Sequence, residues 1–194
     1  MQSKAVKKVR MLCVLALVAA SGCARQGTSR AEDIRAAARE EQPPKLIEAG
    51  EASAAMGDTR RAVQYYALAL ANGGDERKLV PRIVALLVHD KQYRAASDEA
   101  QGFVQRHPDD SSMRFVLANL HVAAGEDDAA EKQFEEVIAR EPANAEAHYT
   151  FAVMLRDTSG GRERADEHFR QYLKLRPGGP HAEEAKGSLL KRVR

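Results

Sequence analysis

The stretch SSMRFVLANLHVAAGEDDAAEKQFEEVIAREPAN, residues 111–144, holds two apolar patterns of helical spacing on either side of an Ala-Gly-Glu-Asp turn. Gly125 suits the left-handed residue that ends many helices, and the aspartates after it suit the start of the next helix. Pro142 stands where the second helix has to stop. The stretch therefore predicts a helix-turn-helix unit of 34 residues.

The same unit recurs along the chain with a period of 34 residues. Rows that begin at Pro43, Arg77, Ser111 and Ala145 bring similar residues into register, once one residue is inserted in the SGGR turn of the last row. Mostly small residues fill the eighth position (Gly50, Val84, Ala118, Ala152) and the twentieth (Ala62, Ala96, Ala130, Ala165), and the twenty-fourth holds Tyr66, Ala100, Phe134 and Phe169. Two amphipathic helices cannot bury their apolar faces alone, so such units stack on their neighbours.

This pattern resembles the tetratricopeptide repeat (TPR), although the tryptophan that usually opens each copy is absent. The resemblance implies an all-α, right-handed α-solenoid of four TPR helix pairs plus a C-terminal capping helix. The copies cover residues 43–76, 77–110, 111–144 and 145–178, and the capping helix covers 179–194. A plain helical bundle is the alternative, and the strict period argues against it.

Composition agrees with a helical domain. The 194 residues include no tryptophan, 5% aromatic residues and 30% charged residues, which does not suit a β-sandwich. The first 23 residues hold four basic residues and no acid, so the remainder holds 26 basic and 28 acidic residues, a net charge of −2. The basic isoelectric point of the whole chain therefore gives no support to nucleic-acid binding.

Residues 1–22 have the three parts of an export signal: a basic segment that ends at Arg10, an apolar core from Met11 to Ala20 and small residues before Cys23. The core has ten residues, and crossing a bilayer takes about 20. We therefore expect a cleaved signal peptide rather than a permanent membrane span.

Ala20, Ser21, Gly22 and Cys23 resemble a bacterial lipobox, in which the cysteine thiol receives diacylglycerol and becomes the new N-terminus. The resemblance implies covalent diacylglycerol and N-acyl lipid on Cys23 and no other cofactor. Ala24 after the cysteine implies transfer to the periplasmic face of the outer membrane. The alternative is a free thiol beside an ordinary cleavage site. If Cys13 leaves with the signal, the mature chain can form neither a disulfide nor a thiolate metal site.

Residues 23–42 then form the lipidated cysteine, a polar tether and one short helix. Ser29 and Glu32 have the spacing of a capping box, and Pro43 with Pro44 ends that helix. Pro81 lies inside the first helix of the second copy, so that helix either begins a turn late or bends.

Catalytic signatures are missing from the sequence, so we expect no enzyme. No two of the six histidines have the i, i+4 spacing of a helical zinc site, and there is no phosphate-binding glycine loop or nucleophile elbow. We expect His121 to be a satisfied core histidine. Paired carboxylates at Asp109–Asp110 and Asp127–Asp128 stand where helices begin, which capping explains. Basic residues alternate with acids and lack interleaved aromatics, so nucleic acid is not an expected partner.

Binding to another protein is the function that the resemblance implies. In this family the first helices of successive repeats line a concave groove. The matching positions form our predicted partner-binding groove: Arg82, His89, Phe115, Asn119, Val122, Tyr149, Val153 and Arg156. Aromatic, apolar, amide and guanidinium groups together suit an extended peptide or a helix of a partner protein, and not a small-molecule substrate.

The sequence thus predicts a non-catalytic adaptor, anchored in the outer membrane, that recruits or positions a protein of an envelope assembly. The assemblies considered are β-barrel insertion, pilus or secretin assembly, and scaffolding of cell-wall enzymes. Two alternatives remain open: a regulatory or structural subunit of a periplasmic cell-wall hydrolase, and a self-associating scaffold.

We predict that Cys23→Ala leaves the protein unprocessed or released, because the thiol that takes the lipid is gone. Flotation of membranes on a density gradient checks this, with Cys13→Ala as the control that keeps the anchor. A Cys23→Ala protein that still floats with the outer membrane would contradict the lipobox interpretation.

Overall fold

The computed structural model describes residues 42–190. The signal segment, Cys23, the predicted helix before Pro43 and residues 191–194 lie outside this range. Within it the chain forms nine helices and no strand: α1 (Pro43–Ala55), α2 (Thr59–Ala71), α3 (Glu76–His89), α4 (Tyr93–Arg106), α5 (Ser111–Ala124), α6 (Asp127–Arg140), α7 (Ala145–Asp157), α8 (Arg162–Leu175) and α9 (Ala182–Ser188). None of these helices is long and apolar enough to span a bilayer.

The helices pack mainly on the helices that precede and follow them in the chain. Short turns join α1 to α2, α3 to α4, α5 to α6 and α7 to α8, and each pair then packs on the next. Such nearest-neighbour packing is the property of a solenoid. The predicted all-α solenoid of helix pairs is confirmed.

A residue with positive φ lies in each turn between paired helices. Gly57, Gly125 and Gly160 have φ of 75°, 73° and 79°, and Lys91 takes the same place between α3 and α4 with φ 59°. In the turn between α1 and α2, the next residue after Gly57 caps α2: the Asp58 side chain accepts a hydrogen bond from the backbone N–H of Arg61 at 3.1 Å. The predicted role of Gly125 in the Ala-Gly-Glu-Asp turn is confirmed, and Gly57 has the same role in the turn between α1 and α2.

Repeat positions eight, twenty and twenty-four are buried in all four copies. Their sizes are complementary across the helix pair. Glycine faces tyrosine in the first copy, because a Cβ on Gly50 would lie 2.6 Å from Cε1 of Tyr66. In the second copy the larger residue is Val84, and the twenty-fourth position is Ala100. The repeated small residues therefore let the paired helices approach each other.

Pro81 does not delay the start of the first helix of the second copy. Helix α3 begins at Glu76 and continues through Pro81 to His89, so the late start that we considered is wrong. The adjoining Val80, together with Ile83, is almost fully buried. This packing holds the segment helical although the proline supplies no backbone N–H.

The capping helix α9 begins at Ala182, inside the predicted range 179–194. The chain first passes Tyr172, whose hydroxyl accepts a 3.0 Å hydrogen bond from the backbone of His181. Ala182 and Ala185 are then buried against the fourth copy.

We predict that Gly50→Ala destabilises the fold by up to about 2 kcal/mol net, because the new methyl group overlaps the Tyr66 ring at a steric cost of about 1–3 kcal/mol. The gain in helix propensity, about 1 kcal/mol, is smaller than this steric cost. Urea unfolding of the chain from Ala24 onward measures the change. Gly187→Ala is the matched control, since a Cβ there meets no atom within 4 Å. Equal unfolding midpoints for the two variants would contradict the predicted close approach.

Candidate partner-binding groove

The predicted groove residues lie on the first helices of three pairs. Helix α3 carries Arg82 and His89, helix α5 carries Phe115, Asn119 and Val122, and helix α7 carries Tyr149, Val153 and Arg156. Their spacing puts the residues of each helix on one face. Arg82 and His89 are exposed, and the other six are half-buried.

The N-terminal end of the groove is held by an ion pair between adjacent first helices. The Arg82 guanidinium bonds the carboxylate of Glu51 on α1, and it lies 5.9 Å from the centre of the Tyr66 ring. His89, whose side chain is 81% exposed, has Nδ1 3.4 Å from the Asp90 carboxylate.

The centre of the groove is apolar apart from one amide. Phe115 packs edge-on against Phe134, with ring centroids 6.0 Å apart. The Asn119 Nδ2 donates to the carbonyl of Phe115 at 2.8 Å, and its Oδ1 accepts no hydrogen bond from residues 42–190. Val88 on the neighbouring α3 is 37% exposed. This region therefore combines accessible apolar surface with one free acceptor.

The C-terminal end of the groove is occupied by the segment that contains α9. The Tyr149 ring stacks on His181 at 3.9 Å between centroids, and its hydroxyl donates to Glu184 Oε2 at 2.6 Å. Arg156 donates to the other oxygen of Glu184 at 3.2 Å and to the Ser188 hydroxyl at 3.1 Å. One carboxylate thus joins two of the predicted partner-binding residues.

These contacts shift the pKa values of Tyr149 and Glu184. Burial and the hydrogen bond to Glu184 raise the pKa of Tyr149 to about 12. The Tyr149 hydroxyl and then the Arg156 guanidinium lower the pKa of Glu184 from its usual value. Tyrosine and arginine at this end are therefore engaged within the chain, whereas the groove residues on α5 stay accessible.

The structure brings together two histidines that sequence spacing did not connect. Nδ1 of His148 on α7 lies 2.9 Å from Nδ1 of His168 on α8. These residues stand at the fourth and, allowing for the inserted residue, the twenty-third positions of their copy. Arg114 and Gln133 hold the same positions in the third copy and bond each other at 2.9 Å. The repeat register was the signal that could have predicted the pair.

The remaining candidates for chemistry have structural roles. Nδ1 of His121, which is half-buried, lies 2.6 Å from the Glu126 carboxylate. Asp110 caps α5, and Asp127 with Asp128 forms the first turn of α6. Among residues 42–190, no three histidine, cysteine or acidic side chains are grouped so that they could hold a metal ion.

We predict that Glu184→Gln lowers the pKa of Tyr149 below 12 but not to 10, because burial still opposes ionisation after the carboxylate charge is gone. A pH titration of the tyrosine ring carbons by nuclear magnetic resonance measures this pKa. The control is Glu183→Gln, since Glu183 bonds Lys186 instead. An unchanged Tyr149 pKa in the Glu184 variant would contradict the contact.

Comparison with known proteins agrees with the repeat architecture. Residues 87–154 match a family model described as tetratricopeptide repeat. No curated protein sequence matches the chain.

Solved structures share the fold at low sequence identity. A crystal structure of MamA aligns with a TM-score of 0.64 over 75% of this chain and 83% of that one, at 19% identity. A MamA fragment from Desulfovibrio magneticus RS-1 aligns with a TM-score of 0.62 over 90% and 94% of the two chains, at 20% identity. YrrB, described as a TPR protein with an unusual peptide-binding site, aligns at 0.64 over 75% and 74%, with 24% identity. Residues 87–154 therefore match tetratricopeptide repeats, and the repeat register with the solenoid of helix pairs extends that resemblance over the described residues 42–190.

Proposed function

We propose that the chain is a lipid-anchored adaptor that binds an extended segment of a partner protein in its groove. The single observation that carries this proposal is the centre of the groove on α5. Phe115 and Val122 offer apolar contact there, and Asn119 offers an unused acceptor for a peptide N–H. Apolar surface with a few fixed polar groups is the usual composition of a binding site.

The fold likeness adds support from one neighbour. YrrB is described as having an unusual peptide-binding site. We extend the binding of a peptide, but not the location of that site, to this chain.

The N-terminal sequence supports the location that we propose, the periplasmic face of the outer membrane. Acyl chains on Cys23 would hold the solenoid near membrane-associated partners. Two or more chains anchor firmly, since each buried CH₂ contributes about 0.8 kcal/mol. Anchoring raises the local concentration of the groove, so a modest affinity is sufficient for recruitment. The partner is then a protein of an envelope assembly.

We predict that a photo-reactive residue at position 122 captures one envelope protein in cells, because this position faces the open part of the groove. Mass spectrometry identifies the captured protein. Asn119→Ala in the same chain should lower its yield about fivefold, the effect of losing a hydrogen bond of about 1 kcal/mol.

The matched control has the photo-reactive residue at position 132, an exposed lysine on the second helix of the same repeat. Capture of the same protein with equal yield at both positions would place binding outside the groove. Capture at neither position, with the protein intact and membrane-bound, would contradict the adaptor function.

A further inference from the structure

The hydrogen bonds of the histidine pair define where its protons lie. Nε2 of His148 is 3.1 Å from the carbonyl oxygen of Pro142. A carbonyl can only accept, so Nε2 of His148 carries hydrogen, and Nδ1 of the neutral ring is an acceptor. His168 therefore carries hydrogen on Nδ1 and donates it to His148.

The ring geometry fits a shared proton. The two ring centroids are 5.2 Å apart, which is close to the 2.9 Å separation of the nitrogens plus the two ring radii. The line between the nitrogens therefore runs along both rings, as in a direct N–H···N hydrogen bond. Two nitrogens that chelate one cation would instead approach it at an angle, and their centroids would lie closer together.

The surroundings disfavour a second proton. The pair borders a cavity of about 310 Å³, lined also by Ile138, Glu167 and Gln171. Burial first, then the adjacent His148 and the Arg164 guanidinium, lower the pKa of His168 to about 4. Glu167 lies exposed at the same cavity.

The third copy has a version of this pair that cannot titrate near neutral pH. Arg114 there donates to Gln133 and, at 3.1 Å, to the carbonyl of Pro108. Each pair therefore joins both helices of its copy to the proline turn before it. Across the physiological pH range the guanidinium stays positively charged and the amide stays neutral. Of these two pairs, only the histidine pair of the fourth copy can change its protonation near neutral pH.

We propose that His148 and His168 form a pH-sensitive clasp that joins α7, α8 and the turn at Pro142, and that protonation of the pair opens it. A proton on Nδ1 of His148 would leave two N–H groups facing each other. A proton on Nε2 of His168 would place a partly buried cation beside Arg164. Opening removes both penalties because it exposes the imidazoles to water.

The direction of the pH effect follows from the lowered pKa. The closed clasp holds His168 at a pKa of about 4, whereas the exposed ring titrates near its ordinary value of 6.5. The closed state therefore keeps its full stability above pH 6.5 and loses it as the pH falls toward 4. Because the open state binds one more proton than the closed state in this range, each unit by which the pH falls raises the open population up to about tenfold.

Opening of the clasp would also affect the C-terminal end of the groove. Tyr149 follows His148 in α7, and it bonds the segment that contains α9. A consequence for partner binding rests on the proposed function, but the clasp itself does not. The experiment below therefore measures helix opening without any partner.

Amide hydrogen exchange of the full mature chain in detergent micelles tests the clasp. Protection factors, corrected for intrinsic exchange at each pH, are compared at pH 7.5 and pH 5.0. We expect α7 and α8 to lose about thirtyfold protection, the value for one site whose pKa moves from 6.5 to 4. The matched internal control is α1 and α2, which contain no histidine and should change less than threefold.

His168→Gln places the amide of the third copy in the fourth and should reduce the change in α7 and α8 to less than threefold. His148→Leu, which copies Leu46 at the same position of the first copy, should reduce the change only in part, because burial, the largest cause of the lowered pKa, still acts on His168. His121→Gln removes a half-buried histidine elsewhere and should leave the thirtyfold change intact. Equal loss of protection in α1 and α2, or a thirtyfold change that persists in the His168 variant, would overturn the proposal.

Discussion

The helix pairs depend on a contact between a small residue and a large one across the first and second helices. Gly50 leaves room for the Tyr66 ring, and in the later copies alanine takes the place of glycine and phenylalanine that of tyrosine. The second copy reverses the sizes with Val84 and Ala100, so the larger partner changes helix and is itself smaller than tyrosine or phenylalanine. Interiors pack at crystal-like density, so each copy has to fill this contact with one larger side chain.

Polar contacts between copies determine which part of the groove is free. Arg82 reaches back to Glu51, and Arg156 reaches forward to Glu184, so ion pairs link α3 to α1 at one end and α7 to the capping helix α9 at the other. Such exposed pairs contribute little to stability, typically about 0–1 kcal/mol. Their effect is to fix the position of side chains that would otherwise reach into the groove. The α5 residues, which make no such link, are the accessible surface that we propose for a partner.

The sequence predicted the parts of the fold that depend on local spacing. The period, the buried small residues and the glycine turns all follow from contacts inside one helix pair. The bond from Tyr149 to Glu184 joins residues 35 positions apart. It depends on how one copy is rotated against the next, which spacing within a copy does not encode. To predict the histidine pair, the inserted residue in the last copy has to be counted. To predict the start of α3, the burial of the neighbours of Pro81 has to be known, because it outweighs the missing backbone N–H.

The core of residues 42–190 consists of two clusters of buried side chains, one from α1 to α5 and one from α5 to α9. Helix α5 belongs to both, because Leu117 packs in the first cluster and Ala118 in the second. A helix that packs into both cores couples them, because a shift of α5 disturbs the contacts of each. That helix also carries Phe115 and Asn119. A partner seated on those residues would contact the one element that the two cores share.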